Sequence, residues 1–131
     1  MECQLDKRDR SVVLIVDDNR VLCEALNEFL SVQGHAVQSA KNGNEALRLL
    51  THLADRPALI FLDLAMPIMN GWEFLAELRQ RPLLADIPVV IMSGCEDVAQ
   101  KAQQAGVVAV LRKPVEPGVL LKIIDHFDER T

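Results

Sequence analysis

No apolar run in this sequence approaches the ~20 residues that a membrane-spanning helix requires, so no membrane contact is expected. The polar start, MECQLDKRDRS, carries no apolar signal core, which argues against secretion. Cysteine is scarce and odd in number. Cys3, Cys23 and Cys95 show no metal-like spacing and read as reduced thiols of a cytoplasmic protein. Clustered positive charge is missing as well: at a net charge of −5 the chain lacks the basic footprint of direct nucleic-acid binding. No repeat, low-complexity tract or long linker interrupts it. What is there, 131 residues with half hydrophobic and a quarter charged, suits one domain able to bury its own core.

Four short apolar runs stand out: VVLIV (12–16), LIFL (59–62), VVIM (89–92) and VVAVL (107–111). They are rich in β-branched residues and continuous rather than alternating, as in parallel strands covered on both faces. HAVQSA (35–40) alternates and fits an edge strand. Helical periodicity fills the gaps. From Asn19 to Gln33, Val21, Leu22, Ala25, Leu26, Phe29 and Leu30 are predicted to form one inward stripe, with Gly34 as the stop. Further helices are predicted over about 44–53, 71–80 and 96–105, and from Pro117 through Phe127. The helix over 96–105 offers only Val98, Ala99, Ala102 and Ala105 to the core and is expected to be the loosest element. Five β–α alternations imply right-handed crossovers and a doubly wound α/β sandwich. In such folds ligands bind beyond the carboxyl ends of the strands.

Those ends carry an unusual set. Strand one runs into Asp17 and Asp18, strand three into Asp63, strand four into Ser93-Gly94, and strand five into Lys113-Pro114. Each has an ordinary alternative taken alone. Asp18 or Asn19 could cap the first helix, Ser93 could be a turn residue, Lys113 a solvated lysine, and Asp63 a loop-starting carboxylate. Their convergence on one edge changes the weighing. Two like charges ~4 Å apart cost roughly 4 kcal/mol at an effective dielectric of ~20. Either the carboxyl pKa values rise or a cation neutralises them. An all-oxygen donor set points to a hard ion, Mg²⁺, with Mn²⁺ able to substitute. Three aspartates give −3, which Mg²⁺ and Lys113 together would balance. Such a site suits phosphoryl transfer: Asp63 as nucleophile, Lys113 and the cation against developing charge, and the Ser93 hydroxyl as donor. Pro67 and Gly71 would fix the path of the loop after Asp63.

The motifs VDDNR, FLDLAMPIMNG, IMSG and LRKP, in this order and spacing, resemble the receiver domain of two-component response regulators. The resemblance covers about Ser11 to Phe127. It divides the chain into an N-terminal extension (1–10), a receiver domain (11–128) and a C-terminal tail (129–131). It implies a CheY-like, flavodoxin-like (βα)5 sandwich with a five-stranded parallel sheet in order 2-1-3-4-5. It further implies that Asp63 accepts a phosphoryl group from a phosphohistidine on a sensor histidine kinase or histidine phosphotransfer protein. Asp18, Asp63 and the Ala65 carbonyl would ligate Mg²⁺ directly, Asp17 through a bound water, and Lys113 would pair with the phosphoryl group. The Lys113–Pro114 bond is expected to be cis. The protein would be a signalling switch that catalyses its own phosphotransfer and autodephosphorylation. Its output would be a downstream effector or a fused output domain, and a phosphorylation-linked dimer fits the same pattern.

Two positions depart from the family's usual residues. Val110 stands three before the lysine, where members carry an aromatic switch residue. The expected readout is therefore the loop after Ser93 and the lightly packed fourth helix. Ala65 and Cys95, two residues beyond Asp63 and Ser93, are small or apolar where members often carry polar groups. The Val110 departure also sustains an alternative, a degenerate receiver that binds proteins independently of phosphorylation. Two other classes fit less well. A haloacid-dehalogenase-type phosphatase would need an acid at Ala65, and a flavodoxin-like carrier would need a phosphate loop where VDDNR stands.

Overall fold

The computed structural model describes residues 12–52, 56–66, 68–95 and 97–128. Strands and helices alternate: β1 (Val12–Val16), α1 (Arg20–Val32), β2 (Ala36–Ala40), α2 (Gly43–His52), β3 (Leu59–Asp63), α3 (Gly71–Arg79), β4 (Val89–Ser93), α4 (Ala99–Gln104), β5 (Ala109–Arg112) and α5 (Pro117–Asp128). All strand pairs are parallel, in the order β2-β1-β3-β4-β5. This is the doubly wound sandwich expected from the alternation, in the strand order that the resemblance implies and with HAVQSA at an edge.

The three central strands are buried almost throughout, and the period of two divides their side chains between two cores. Leu14, Ile60 and Leu62 pack with Leu47, Phe74 and Leu78 on the α2–α3 side. Ile15, Phe61 and Met92 pack with Leu26, Leu30 and Ile124 on the α1–α5 side. Each such side chain, removed from water, contributes about 1.5–3 kcal/mol, so the central strands hold the sheet rigid where its carboxyl edge carries charge.

Helix ends follow local chemistry. The Asn19 side chain accepts from the Leu22 N–H and caps α1, so Asn19, rather than Asp18, is the cap. Asn70 and Glu73 form a reciprocal capping box at α3. Gly34 and Gly106, at φ 96° and 76°, close α1 and α4 with left-handed turns.

Three expectations are corrected. Val21 and Ala25 do not belong to the inward stripe of α1: both are exposed, Val21 at 76%, and Cys23, Leu26 and Leu30 make the buried face. Residues 23, 26 and 30 share one side of a 3.6-residue helix, and position 21 lies about 200° from position 23. The fifth strand begins at Ala109 rather than Val107, because the Val107 N–H closes α4 by donating to the Ala102 carbonyl. The fourth helix is shorter than predicted. It starts at Ala99 without a side-chain cap and buries only Ala102. Pro67, the last residue of the helix predicted over 44–53, Leu53, and the first of that predicted over 96–105, Glu96, lie outside the described residues. Trp72 is half-buried against the α2–α3 core, with the Lys101 ammonium 4.7 Å from its ring centroid.

Candidate active site

Strand register assembles the site. Val16 pairs with Leu62 and Leu62 with Ile91, so Asp17 and Asp63 leave neighbouring strands at the same level. Asp17, Asp63 and Lys113 each follow two residues after a side chain of the α1–α5 core, namely Ile15, Phe61 and Leu111. The period of two therefore carries all three onto one face as the sheet ends.

Asp17 and Asp63 are buried, at 1% and 5% exposure, whereas Asp18 is exposed. Carboxylate oxygens of Asp17, Asp18 and Asp63 all lie within 4.8 Å of one another. The Lys113 ammonium, reaching across from β5, stands 3.0 Å from Asp17 Oδ2 and 3.3 Å from Asp63 Oδ1. Backbone donors hold the carboxylates from below. The Asn19 N–H donates to Asp17 Oδ1 at 2.8 Å, and the Ala65 N–H donates to Asp63 Oδ1 at 3.3 Å.

Burial, and then the neighbouring Asp17 charge, pushes the Asp63 carboxyl above its ordinary range, while Lys113 and the Ala65 amide partly offset them. For Lys113, burial works against the charged form. The hydrogen bond and charge of Asp17, with those of Asp63, outweigh it and leave the ammonium raised. Three carboxylates against one lysine leave a formal surplus of −2. That surplus, the all-oxygen donors and their mutual spacing fit a hard divalent cation.

The loop after Asp63 is fixed at both ends. The Gly71 N–H donates to the Leu64 carbonyl at 2.9 Å. Met66 is buried, and Met69 packs against Gly43 of α2. Between them Ile68 adopts φ 70°, a left-handed backbone that costs a β-branched residue on the order of 1–3 kcal/mol.

The structure thus brings Asp17, Asp18, Asp63 and Lys113 together, with Ala65 exposed beside them. Ser93 is buried at the end of β4, but its hydroxyl accepts from the Cys95 N–H at 3.0 Å. Among the described residues no hydrogen bond joins that hydroxyl to Asp63 or Lys113. The Ser93 carbonyl instead accepts the Lys113 N–H at 2.9 Å. The Lys113–Pro114 bond is cis, and Val110 is half-buried in β5. Cys23 is a neighbour of the site that none of the four motifs indicates. Its buried thiol donates to the Asp17 carbonyl at 3.4 Å, and burial, then the Asp17 charge, pushes its pKa up to about 11. Its sequence signal is its helical position, on the face that α1 turns toward β1. Beside Asp17 and Asp18 a cavity of about 500 Å³ opens between α1 and the β2–α2 connection, with Arg20, Lys41 and Glu45 in its wall.

Comparison with known proteins gives this geometry a family. A probable transcriptional regulator, ycf29 of Pyropia yezoensis, is 36% identical over 120 residues, which cover 90% of this chain and 53% of that protein. The chain spans about half the length of the curated relatives it matches in this way. The crystal structure of a response regulator receiver protein from Pseudomonas putida superposes with a TM-score of 0.80 at 34% identity, covering 89% of this chain and 97% of that one. The Mn²⁺-bound form of the response regulator Rcp1 superposes with a TM-score of 0.72 at 29% identity, covering 92% and 93%. The model of the response regulator receiver domain matches residues 13–125, from the second residue of β1 to near the end of α5. That match takes in every strand and all four residues of the charged cluster, and the chain belongs to the response regulator receiver domain family.

Proposed function

We propose that the chain accepts a phosphoryl group on the Asp63 carboxylate from a phosphohistidine carried by a sensor histidine kinase or a histidine phosphotransfer protein. The observation that carries this reading is the position of Asp63. Its carboxylate is buried at the sheet edge, grouped with two other carboxylates and 3.3 Å from the Lys113 ammonium. An Asp63 oxygen attacks phosphorus while the phosphorus–nitrogen bond to the donor imidazole breaks, and the imidazole leaves with that electron pair.

Asp17, Asp18, Asp63 and the Ala65 carbonyl are the groups that would hold Mg²⁺, or Mn²⁺ in its place. When bound, the cation supplies positive charge to the phosphoryl oxygens. Lys113, held between Asp17 and Asp63, can turn its ammonium from the Asp63 carboxylate to the phosphoryl group that replaces its negative charge. The Ser93 hydroxyl, which accepts from the Cys95 amide, can be drawn toward the same oxygens. Moving it pulls on the 94–98 connection into α4, which is short, uncapped and anchored by one buried alanine. Readout then passes through this loop and α4 to a downstream effector or fused output domain. A cytoplasmic location, and the absence of direct membrane or nucleic-acid contact, belong to the same reading.

Incubation with Mg²⁺ and acetyl phosphate should add one phosphoryl group by intact mass, and Asp63→Asn should abolish the addition. An unmodified wild-type chain, or a modified variant, would overturn the assignment. The filled cluster disfavours a phosphorylation-independent binding module. Amide exchange over residues 93–106 that is indifferent to the phosphoryl group would count against the proposed readout.

A further inference from the structure

We propose that Trp72 and Lys101 form a clasp that holds α4 against α3 in the unphosphorylated chain and opens when Asp63 is phosphorylated. The inference rests on the readout proposed above, in which α4 answers the phosphoryl group. Trp72 is the chain's single tryptophan, half-buried in the first turn of α3. The ammonium of Lys101, an exposed residue of α4, lies 4.7 Å from the centroid of its ring. At that distance a cation is held by the face of an indole, the best of the aromatic partners. Among the described residues Lys101 forms no ion pair with a carboxylate, so the ring is its partner.

Little else fixes α4. The helix has six residues, no side-chain cap and a single buried residue, Ala102. A helix that short does not hold its own shape in water, and an element with so few buried contacts belongs to the least stable part of a molecule. Its seam with α3 is loosely filled. A groove of about 360 Å³ separates Leu75, Ala76 and Arg79 of α3 from Gln104 and Ala105 of α4. Arg79 is committed to the Ala85 and Ile87 carbonyls, to which its guanidinium donates at 2.7 and 3.1 Å. Lys101 is thus the cation that crosses the groove, and Trp72 is what it meets.

Position ties this clasp to the chemistry. Gly71, the residue before Trp72, donates its N–H to the Leu64 carbonyl at 2.9 Å and abuts the Asp63 carbonyl oxygen. Trp72 therefore stands on backbone fixed to the phosphoacceptor. The start of α4 is reached from elsewhere, by the 94–98 connection that leaves Ser93. When the Ser93 hydroxyl is drawn toward the phosphoryl oxygens, that connection pulls on α4 while Trp72 stays with the end of β3. The contact between ring and ammonium weakens with distance and gives way. Such coupling is reciprocal. A contact that stabilises the docked helix must oppose the phosphorylated state, and its removal must favour that state.

The experiment compares Lys101→Gln, Lys101→Arg, Trp72→Leu and the Lys101→Gln/Trp72→Leu double variant with wild type. Each is measured with and without beryllium fluoride and Mg²⁺, which together mimic a bound phosphoryl group. An exposed cation–π contact is worth about two- to fivefold in an equilibrium. Lys101→Gln and Trp72→Leu should each speed amide exchange over residues 99–106 by that factor in the absence of the mimic, and should tighten beryllium fluoride binding similarly. Lys101→Arg keeps the cation and should match wild type in both. The double variant should change neither quantity more than one substitution does. Unchanged exchange and affinity in Lys101→Gln, an arginine variant that behaves like the glutamine one, or additive effects in the double variant would each overturn the proposal. A wild-type α4 whose exchange ignores the bound mimic would bring down the readout reading, and the clasp with it. Failure of the mimic to bind the wild-type chain would instead bring down the phosphoacceptor reading itself.

Discussion

The Cβ that Gly71 lacks would fall 2.6 Å from the Asp63 carbonyl oxygen and 2.8 Å from the Leu64 Cα. Both are backbone atoms, so neither can turn aside. Gly71→Ala must push the start of α3 away from the end of β3. The expected cost is about 1–3 kcal/mol, in the range of overpacked sites. Urea unfolding measures it, and slower acetyl phosphate labelling should accompany it because Asp63 moves with its own backbone. Wild-type stability in this variant would contradict the close fit.

Lys113→Gln removes the cation shared by two buried carboxylates. Breaking a buried pair from one side costs about 3–5 kcal/mol, but the Lys113 side chain is 28% exposed and water will moderate the loss. A destabilisation of about 2 kcal/mol is expected in chelator-treated protein, with part of it recovered on adding Mg²⁺. No recovery would show that the carboxylates do not share a cation.

Asp63→Asn should alter the pH dependence of stability in the metal-free protein. Burial, reinforced by Asp17, raises the folded-state pKa of Asp63. A carboxyl raised by folding contributes its full stability below the unfolded value of about 4, and that contribution fades as pH rises through the folded value. The asparagine variant should therefore be the more stable protein at pH 7, with its advantage shrinking toward pH 4. Thermal melts across this window test the sign, and an advantage growing toward acid would reverse it.

Mg²⁺ and Mn²⁺ should raise the thermal midpoint, since binding to the native state alone stabilises it by about 2.7 kcal/mol at 100 times Kd. Asp18→Ala removes an exposed carboxylate and should change the metal-free stability by less than about 0.5 kcal/mol. It should nonetheless abolish most of the metal-induced rise. Ca²⁺ is a useful contrast, because its larger size and higher coordination demand suit this small donor set less well.

Much of this arrangement is legible in stretches such as LIFLD and VVLIVDD. Continuous β-branched runs report burial on both faces, and a charged residue at the end of each run marks the edge where parallel strands finish together. Other features leave no comparable trace. Val21 is more hydrophobic than its surroundings suggest, but a helix whose first turn is set by the Asn19 cap rotates it outward and brings Cys23 inward. VVAVL looks uniform, yet its first amide belongs to the end of α4. Ile68 gives no hint of a left-handed backbone, because its residue type argues the other way. The Ser93 hydroxyl could be placed at its strand end, but not its local bond to Cys95.

The division of side chains between the two faces of the sheet makes the molecule unequal in its halves. Ile15, Phe61 and Leu111, each two residues before a charged residue of the site, all belong to the α1–α5 half. That half is the floor on which the reacting groups stand, and the α2–α3 half is its foundation. Truncation beneath the floor, as in Phe61→Leu, should tilt the carboxylates and register in phosphoryl acceptance as well as in unfolding. An equally costly truncation in the foundation, such as Leu50→Val, should weaken the fold and leave the reacting groups in place. The two faces can therefore tolerate sequence change on different terms, one judged by stability alone and the other by stability and chemistry together.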